Sequence, residues 1–235
     1  MKEKQVDDDK NILQNLKITQ SIEMIIVESP VLLKTLSSAI IGAGFNWVRT
    51  FVNRHVDKEY NYDDAEAEFK TYLSAKKIDF TETVGMMTAA KLEDVSFIQK
   101  NEKEFSVFVV VTAGLSNAVD ASRSYYQNER RKTVGTINTW IFIKGNLTEA
   151  AFVQAMMTAT EAKVKALQDE EVRDPVMKTI ATGTSTDSMM IAGTQTGTEF
   201  NYAGTITSLG KTIGLAVYEA TLDAIRSNRK RGVGQ

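Results

Sequence analysis

Thr182-Gly183-Thr184-Ser185-Thr186-Asp187-Ser188 sets five hydroxyl side chains around one glycine and one carboxylate in a single run. Such a run can build a polar pocket wall: the glycine lets a ligand approach the backbone, the hydroxyls hold amides or carbonyls, and Asp187 acts as a general base or positions a water. The alternative is an Asx-type turn leading into a strand. A phosphate-binding loop is excluded because the Gly-Lys-Ser/Thr ending is missing. Further polar groups fall where strands are expected to end: Ser37-Ser38, Asn53 to His55, Thr88, Ser116-Asn117, and Thr136 with Asn138. Each alone is ordinary turn and cap chemistry. Strand ends are also where a fold gathers groups that are distant in sequence.

Glu161 offers a second carboxylate. It stands four residues before Lys165, the spacing of a helix-surface ion pair worth roughly a few tenths of a kcal/mol. Turned toward a sheet instead, it would be desolvated and drawn toward acid/base use. His55 reads first as a surface or hydrogen-bonding histidine and second as a ligand or base.

Composition narrows the field. A formal charge of -2 over 235 residues leaves no basic footprint for nucleic acid. The absence of cysteine removes disulfides, thiolate metal sites and a Cys nucleophile, and the single histidine excludes zinc centres built on two imidazoles. No metal site is therefore expected. The amino terminus lacks the apolar core of a signal peptide, and no apolar run approaches the ~20 residues of a membrane helix. A cytoplasmic protein with no membrane partner is expected.

These groups need elements to position them. Residues 1–19 read as a flexible charged arm. The apolar runs on either side of Ser29-Pro30, between Met24 and Leu36, predict two strands of a hairpin, and residues 47–56 predict another strand. Acidic residues early and Lys76-Lys77 late predict a surface helix over 63–76. Strands follow at 83–89, 92–99 and 105–112, the last apolar on both faces as a central strand would be. Residues 134–143 place Ile137, Ile141 and Ile143 on one face and Asn138, Trp140 and Phe142 on the other. A helix capped by Thr148 runs to 169, with apolar positions Val153, Met157, Val164 and Leu167 at helical spacing and alanine on its other sides. A short strand at 189–192 and a long helix at 208–226 complete the pattern. The expectation is a single α+β domain over residues 20–228, with a mixed or largely antiparallel sheet, helices packed on its faces, and a basic tail at 229–235.

Taken in order, the segments LSSA (36–39), VNRHV (52–56), VGMMTAA (84–90), TAGLSNAV (112–119), GTINTW (135–140), TATEAK (158–163), ATGTSTD (181–187) and YAGTITSLGKTIGLAVYEA (202–220) resemble the adenosylcobinamide amidohydrolase family of corrinoid salvage. The resemblance runs from about residue 30 to 225. It implies hydrolysis of the amide joining the corrin propionyl arm to aminopropanol, giving adenosylcobyric acid and 1-amino-2-propanol for cobalamin biosynthesis. The corrinoid is then the substrate, and no cofactor is identified. A corrin edged with amides asks for neutral hydrogen-bonding groups and apolar or aromatic walls. Ser37, Ser38, Asn53, His55, Thr88, Asn117, Asn138, Gly183 and Ser185 are the expected substrate-binding residues.

Amide hydrolysis requires a nucleophile, an oxyanion stabiliser and a proton for the leaving amine. Position favours water attack with Asp187 or Glu161 as base and Asn117, Asn138 or backbone N–H groups near Gly183 polarising the carbonyl. The alternative makes Thr184 or Ser185 a covalent nucleophile activated by Asp187 or Lys163. The chain departs from the family pattern at Ser185, Ile206 and Asp120, which leaves a non-catalytic corrinoid carrier or sensor as the second reading. A self-processing hydrolase cleaving before ATGTSTD is a third, and homo-oligomerisation stays open.

Overall fold

Two apolar runs, Ser106–Ala113 and Ile137–Lys144, pair antiparallel at the centre of the sheet, with almost every residue buried. The structure is a computed structural model describing residues 2, 3, 15–127 and 135–232. Most of the expected arm therefore lies outside the described residues, as do 128–134. In chain order the main elements are β1 (Lys17–Gln20), β2 (Met24–Ser37), β3 (Gly44–His55), α1 (Ala65–Ala75), β4 (Thr83–Thr88), β5 (Ser96–Asn101), β6 (Ser106–Ala113), β7 (Ile137–Lys144), α2 (Glu149–Asp169), β8 (Ser188–Gly193) and α3 (Ser208–Gly232).

The sheet is mixed. β7 is antiparallel to β6 and parallel to β8, and β8 joins the Lys34–Ser37 half of β2. The other half of β2 pairs with β1, while β3 runs antiparallel along both halves and pairs parallel with β4. This arrangement corrects the hairpin expected at Ser29-Pro30. The chain continues through them as one strand, with a register shift between Glu28 and Leu33. Proline removes one ladder donor, which a bulge accommodates without reversing the chain. The actual hairpin is β2–β3, turned through Gly42 and Gly44 at φ +73° and +78°, a region costly for side-chain-bearing residues.

The interrupted β2 lets β2, β3 and β4 fold over the central strands. Ile25, Val27, Leu33, Val48, Phe51, Val84 and Met86 pack there on Phe108, Val110, Trp140, Phe142 and Met190. Phe51 meets Phe142 edge-on with ring centroids 4.8 Å apart. The opposite face of β6 and β7, with Val107, Val109, Val111, Ile137, Ile141 and Ile143, is covered by α2 and α3. On the far side, α1 buries Phe69 and Leu73 against Ile41 and Val52. Helices therefore flank the folded sheet on both outer faces, in the α+β arrangement expected from the sequence. No described helix is long and apolar enough to cross a membrane.

In α2 the expected seam is displaced. The Thr148 hydroxyl caps Ala151 N as anticipated, but Val153 and Met157 are 48% and 57% exposed. The buried stripe is Ala151, Phe152, Ala155, Thr158, Ala159, Lys163, Ala166 and Leu167. Small residues bring α2 close to the sheet and to α3, so the alanine side faces inward. Three boundaries also differ: residues 17–20 join the sheet, Leu92–Asp94 form a single 3₁₀ turn ahead of β5, and α3 continues to Gly232. Arg229 is held by Glu170 at 2.9 Å.

Candidate functional site

Parallel pairing of β8 with β7 sets Ser188 opposite Asn138, which brings the preceding Asp187 beside the start of β7. Its Oδ1 accepts from Ile137 N and Thr184 N, each at 3.1 Å, and from the Thr184 hydroxyl. Its Oδ2 accepts from Lys163 Nζ, which projects from the buried stripe of α2. The two readings of the hydroxyl-rich run thus coincide, because the loop closes as an Asx-like turn whose carboxylate also meets a cation and a hydroxyl. The Lys163 and Asp187 side chains are only 9% and 19% exposed, and the low local dielectric that strengthens their attraction would penalise either one alone. Gly183 lies against the pair: a Cβ there would stand 2.5 Å from Asp187 Oδ2 and 3.1 Å from Lys163 Nζ. The close approach that this glycine permits is taken by the protein's own ion pair.

A second group adjoins the first. Residues Gly183–Thr184 pair antiparallel with Ala118–Val119, which places Asn117 beside the loop. Asn117 Nδ2 donates to Ser185 Oγ at 2.8 Å and lies 3.3 Å from Thr186 Oγ1. Thr186 Oγ1 donates to Gly135 O at 2.5 Å, and Thr136 Oγ1 donates to Thr186 O at 2.7 Å. Asn117 itself is 2% exposed, and its Oδ1 has no hydrogen-bond partner among the described residues. Such an acceptor is costly to leave dry. Ser185 and Thr186 are exposed.

The network continues inward. Asn138 Nδ2 donates to Asn53 Oδ1 at 2.8 Å and to Met87 O at 2.9 Å, and Asn53 Nδ2 donates to Thr112 Oγ1 at 2.9 Å. All three side chains are buried between the two layers of the sheet. Where β4 ends, Thr88 Oγ1 accepts from Ala90 N, and His55 Nδ1 lies 3.0 Å from Ala90 O. On the other side, Ser38 Oγ accepts from Met189 N at 3.0 Å and lies 3.3 Å from Ser188 Oγ, while Ser37 Oγ accepts from Ala39 N.

Asp187, Thr184, Gly183, Ser185, Asn117, Asn138 and Asn53 are thus connected at one end of the folded sheet, with His55, Thr88, Ser37 and Ser38 along its margins. Glu161 stands apart. It is exposed on α2 and has no hydrogen bond or ion pair among the described residues, and its expected partner Lys165 is bound to Asp169 one turn later. The orientation toward the sheet is corrected by the helical phase, since the buried stripe passes through Lys163 and not Glu161.

Lys163 entered the sequence reading only as an alternative activator. The signal that marks it is the four-residue step from Ala155 to Ala159 to Lys163, which places a cation in an otherwise small, apolar stripe. Asp174 was missed altogether. It is fully buried and accepts from the N–H groups of Asp120, Val176 and Met177. Burial alone would raise its carboxyl, but the Val176, Met177 and Asp120 amides with Gln127 outweigh it and hold the group below its ordinary value. It thereby ties Asp120 to the 176–177 turn, and the neighbouring Ala121 N donates to Thr182 Oγ1 at 3.0 Å, which joins this wall to the hydroxyl-rich loop. Of the positions departing from the family pattern, Ser185 lies in the cluster and Asp120 in this wall, whereas Ile206 is exposed ahead of α3.

Comparison with known proteins agrees with the ordered motifs. The family model described as adenosylcobinamide amidohydrolase matches residues 9–232. An adenosylcobinamide amidohydrolase from Methanosarcina mazei is 30% identical over 190 residues, covering 75% of this chain and 84% of that protein. An uncharacterized protein from Methanocaldococcus jannaschii is 28% identical over 204 residues, covering 77% and 78%. An uncharacterized ABC transporter ATP-binding protein from Bacillus subtilis is 27% identical over 172 residues, covering 73% of this chain and 30% of that longer protein.

Proposed function

The chain belongs to the adenosylcobinamide amidohydrolase family, and from that premise we propose that it cleaves the amide between the corrin propionyl arm and aminopropanol in adenosylcobinamide. The products are adenosylcobyric acid and 1-amino-2-propanol, with water supplying the hydroxyl of the new acid and a proton to the amine. Release of the acid returns an incomplete corrinoid to cobalamin biosynthesis. The observation that carries the reading is the cluster in which the Thr184 hydroxyl donates to Asp187 while Lys163 holds the other carboxylate oxygen.

Asp187 Oδ1 already accepts from two backbone amides and one hydroxyl, so the proton closest to transfer is that of Thr184. Thr184 Oγ attacks the amide carbonyl as Asp187 takes that proton, giving an ester on Thr184 once the C–N bond breaks. Lys163 Nζ, held against Asp187, supplies a proton to the departing amine, and water then releases the acid. The exposed Ser185 and Thr186 hydroxyls hold the amide-rich rim of the substrate, and the buried Asn117 orients them through its Nδ2. Asn138 acts indirectly, because its Nδ2 hydrogens are taken up by Asn53 and Met87. Direct attack by water is the second reading, favoured by the limited exposure of Thr184, which is 7%. In that case Thr184 orients Asp187 and no ester forms.

The test is incubation of the purified chain with adenosylcobinamide, with adenosylcobyric acid followed by chromatography and mass. Formation of both products supports the reading. Tight binding with no product would leave a corrinoid carrier in its place.

A further inference from the structure

An open groove of about 400 Å³ runs along the outer side of α2, lined by Leu36, Val153, Met156, Met157, Thr160 and Glu161. Apart from Thr160 and the Glu161 rim its lining is apolar, and Val153 and Met157 are about half exposed (48% and 57%) although they sit mid-helix. A chain of side-chain contacts connects the groove's lining to the reactive cluster. Met156, Thr160 and Lys163 follow one another along α2 at spacings of four and three, so they stand on one side in successive turns. Thr160 Oγ1 lies 4.0 Å from Met189 Sδ, Met189 N donates to Ser38 Oγ at 3.0 Å, and Ser38 Oγ lies 3.3 Å from Ser188 Oγ, next to Asp187.

We propose that this groove seats one methyl-bearing edge of the corrin macrocycle and so presents the propionyl amide to Thr184 and Asp187. The inference rests on the corrinoid reading above and adds where the ring lies. A volume of about 400 Å³ is at the lower end of small-molecule sites, about 300–1,000 Å³, which fits one edge of a tetrapyrrole-sized molecule with the rest in solvent. Methionine adapts its unbranched thioether to an irregular apolar outline, and the Ser38 and Ser188 hydroxyls, beyond Met189, suit the amide arms of such a ring. The corrinoid is the occupant that fits this position, because Thr160 of the lining stands about one helical turn from Lys163 on α2 and touches Met189, which hydrogen-bonds Ser38 beside Ser188 and Asp187.

The test uses the full chain with cobinamide as probe, measured by equilibrium dialysis through the visible absorbance of the corrinoid, alongside adenosylcobinamide turnover. The double variant Val153→Asp/Met157→Glu, at exposed positions, should weaken cobinamide binding by about tenfold or more, since it sets charge against an apolar ligand. KM should rise in step while kcat changes by less than about threefold. Met157→Leu, which keeps the apolar bulk, should bind like the wild type. Unchanged affinity in the folded double variant overturns the proposal, and if turnover is intact the amidohydrolase reading survives it. A change in sedimentation with corrinoid affinity unaltered also overturns it and makes the groove a contact between copies of the chain. Wild-type binding without turnover removes the hydrolytic reading alone, whereas no wild-type binding removes both.

Discussion

Lys163 of α2 and Asp187 at the entrance to β8 form an ion pair beneath Gly183, and the same carboxylate holds Thr184 and the first amide of β7. One carboxylate thus joins a helix, a loop and two parallel strands. The structural role of Asp187 and its proposed chemical role therefore separate only under substitutions that spare one of them.

Removing the cation alone leaves Asp187 largely buried without its partner. Lys163→Met is expected to cost about 3–5 kcal/mol of folding stability, as for other broken buried pairs, measured by urea unfolding. The double variant Lys163→Met/Asp187→Leu should recover a substantial part of that loss. Additive losses in the two single variants and the double would show that the pair is not coupled.

Gly183 tests the packing without altering a functional group. A methyl group there would fall 2.5 Å from Asp187 Oδ2, so Gly183→Ala has to displace the carboxylate from Lys163 or Thr184. Turnover is expected to fall by about 10²-fold or more, the scale of a misplaced acid–base group, with the circular dichroism spectrum retained. Wild-type activity in this variant would mean that the ion pair is not part of the chemistry.

Glu161→Gln should leave kcat within about twofold of wild type, with any effect confined to KM, because an exposed rim side chain with no partner among the described residues contributes little to the chemistry. A loss comparable to that of an Asp187 variant would return Glu161 to the role of base.

Asp174 gives the wall of the site an acid dependence. Its carboxyl is held below the ordinary value by the surrounding amides, so its contribution to stability is complete above the unfolded value, about 3.9, and is lost as pH falls through the lower folded value. Acidification below about pH 4 should expose the amides of Asp120, Val176 and Met177 to hydrogen exchange, after correction for intrinsic rates. Asp174→Asn should show the loosening already at neutral pH. Protection in the variant equal to wild type at both pH values would remove Asp174 from this role.

Much of the architecture was legible because burial follows local pattern. The two-faced apolar run of β6 could only be central, and the split of Ile137, Ile141 and Ile143 from Trp140 and Phe142 identified both packed faces of β7. Ser29-Pro30 misled because a proline ends a ladder bond equally well in a turn or a bulge, and only the pairing of β3 with both halves of β2 decides between them. The α2 seam misled because Val153 and Met157 are more apolar than alanine, whereas close approach of α2 to the sheet selects small side chains. In the site, the ATGTSTD run announced itself by its density of hydroxyls. Lys163 was masked because a lysine on a helix ordinarily points to water, and the hub role of Asp174 depends on backbone amides that composition does not reveal.

The most direct test of the Thr184–Asp187–Lys163 assignment is a single-turnover comparison of wild type and Asp187→Asn with adenosylcobinamide, scored by adenosylcobyric acid formed per chain, with cobinamide binding measured in parallel. The wild type should convert its bound substrate, and the variant should bind it yet form product at least about 10²-fold more slowly. Product formation at the wild-type rate by Asp187→Asn would contradict the account.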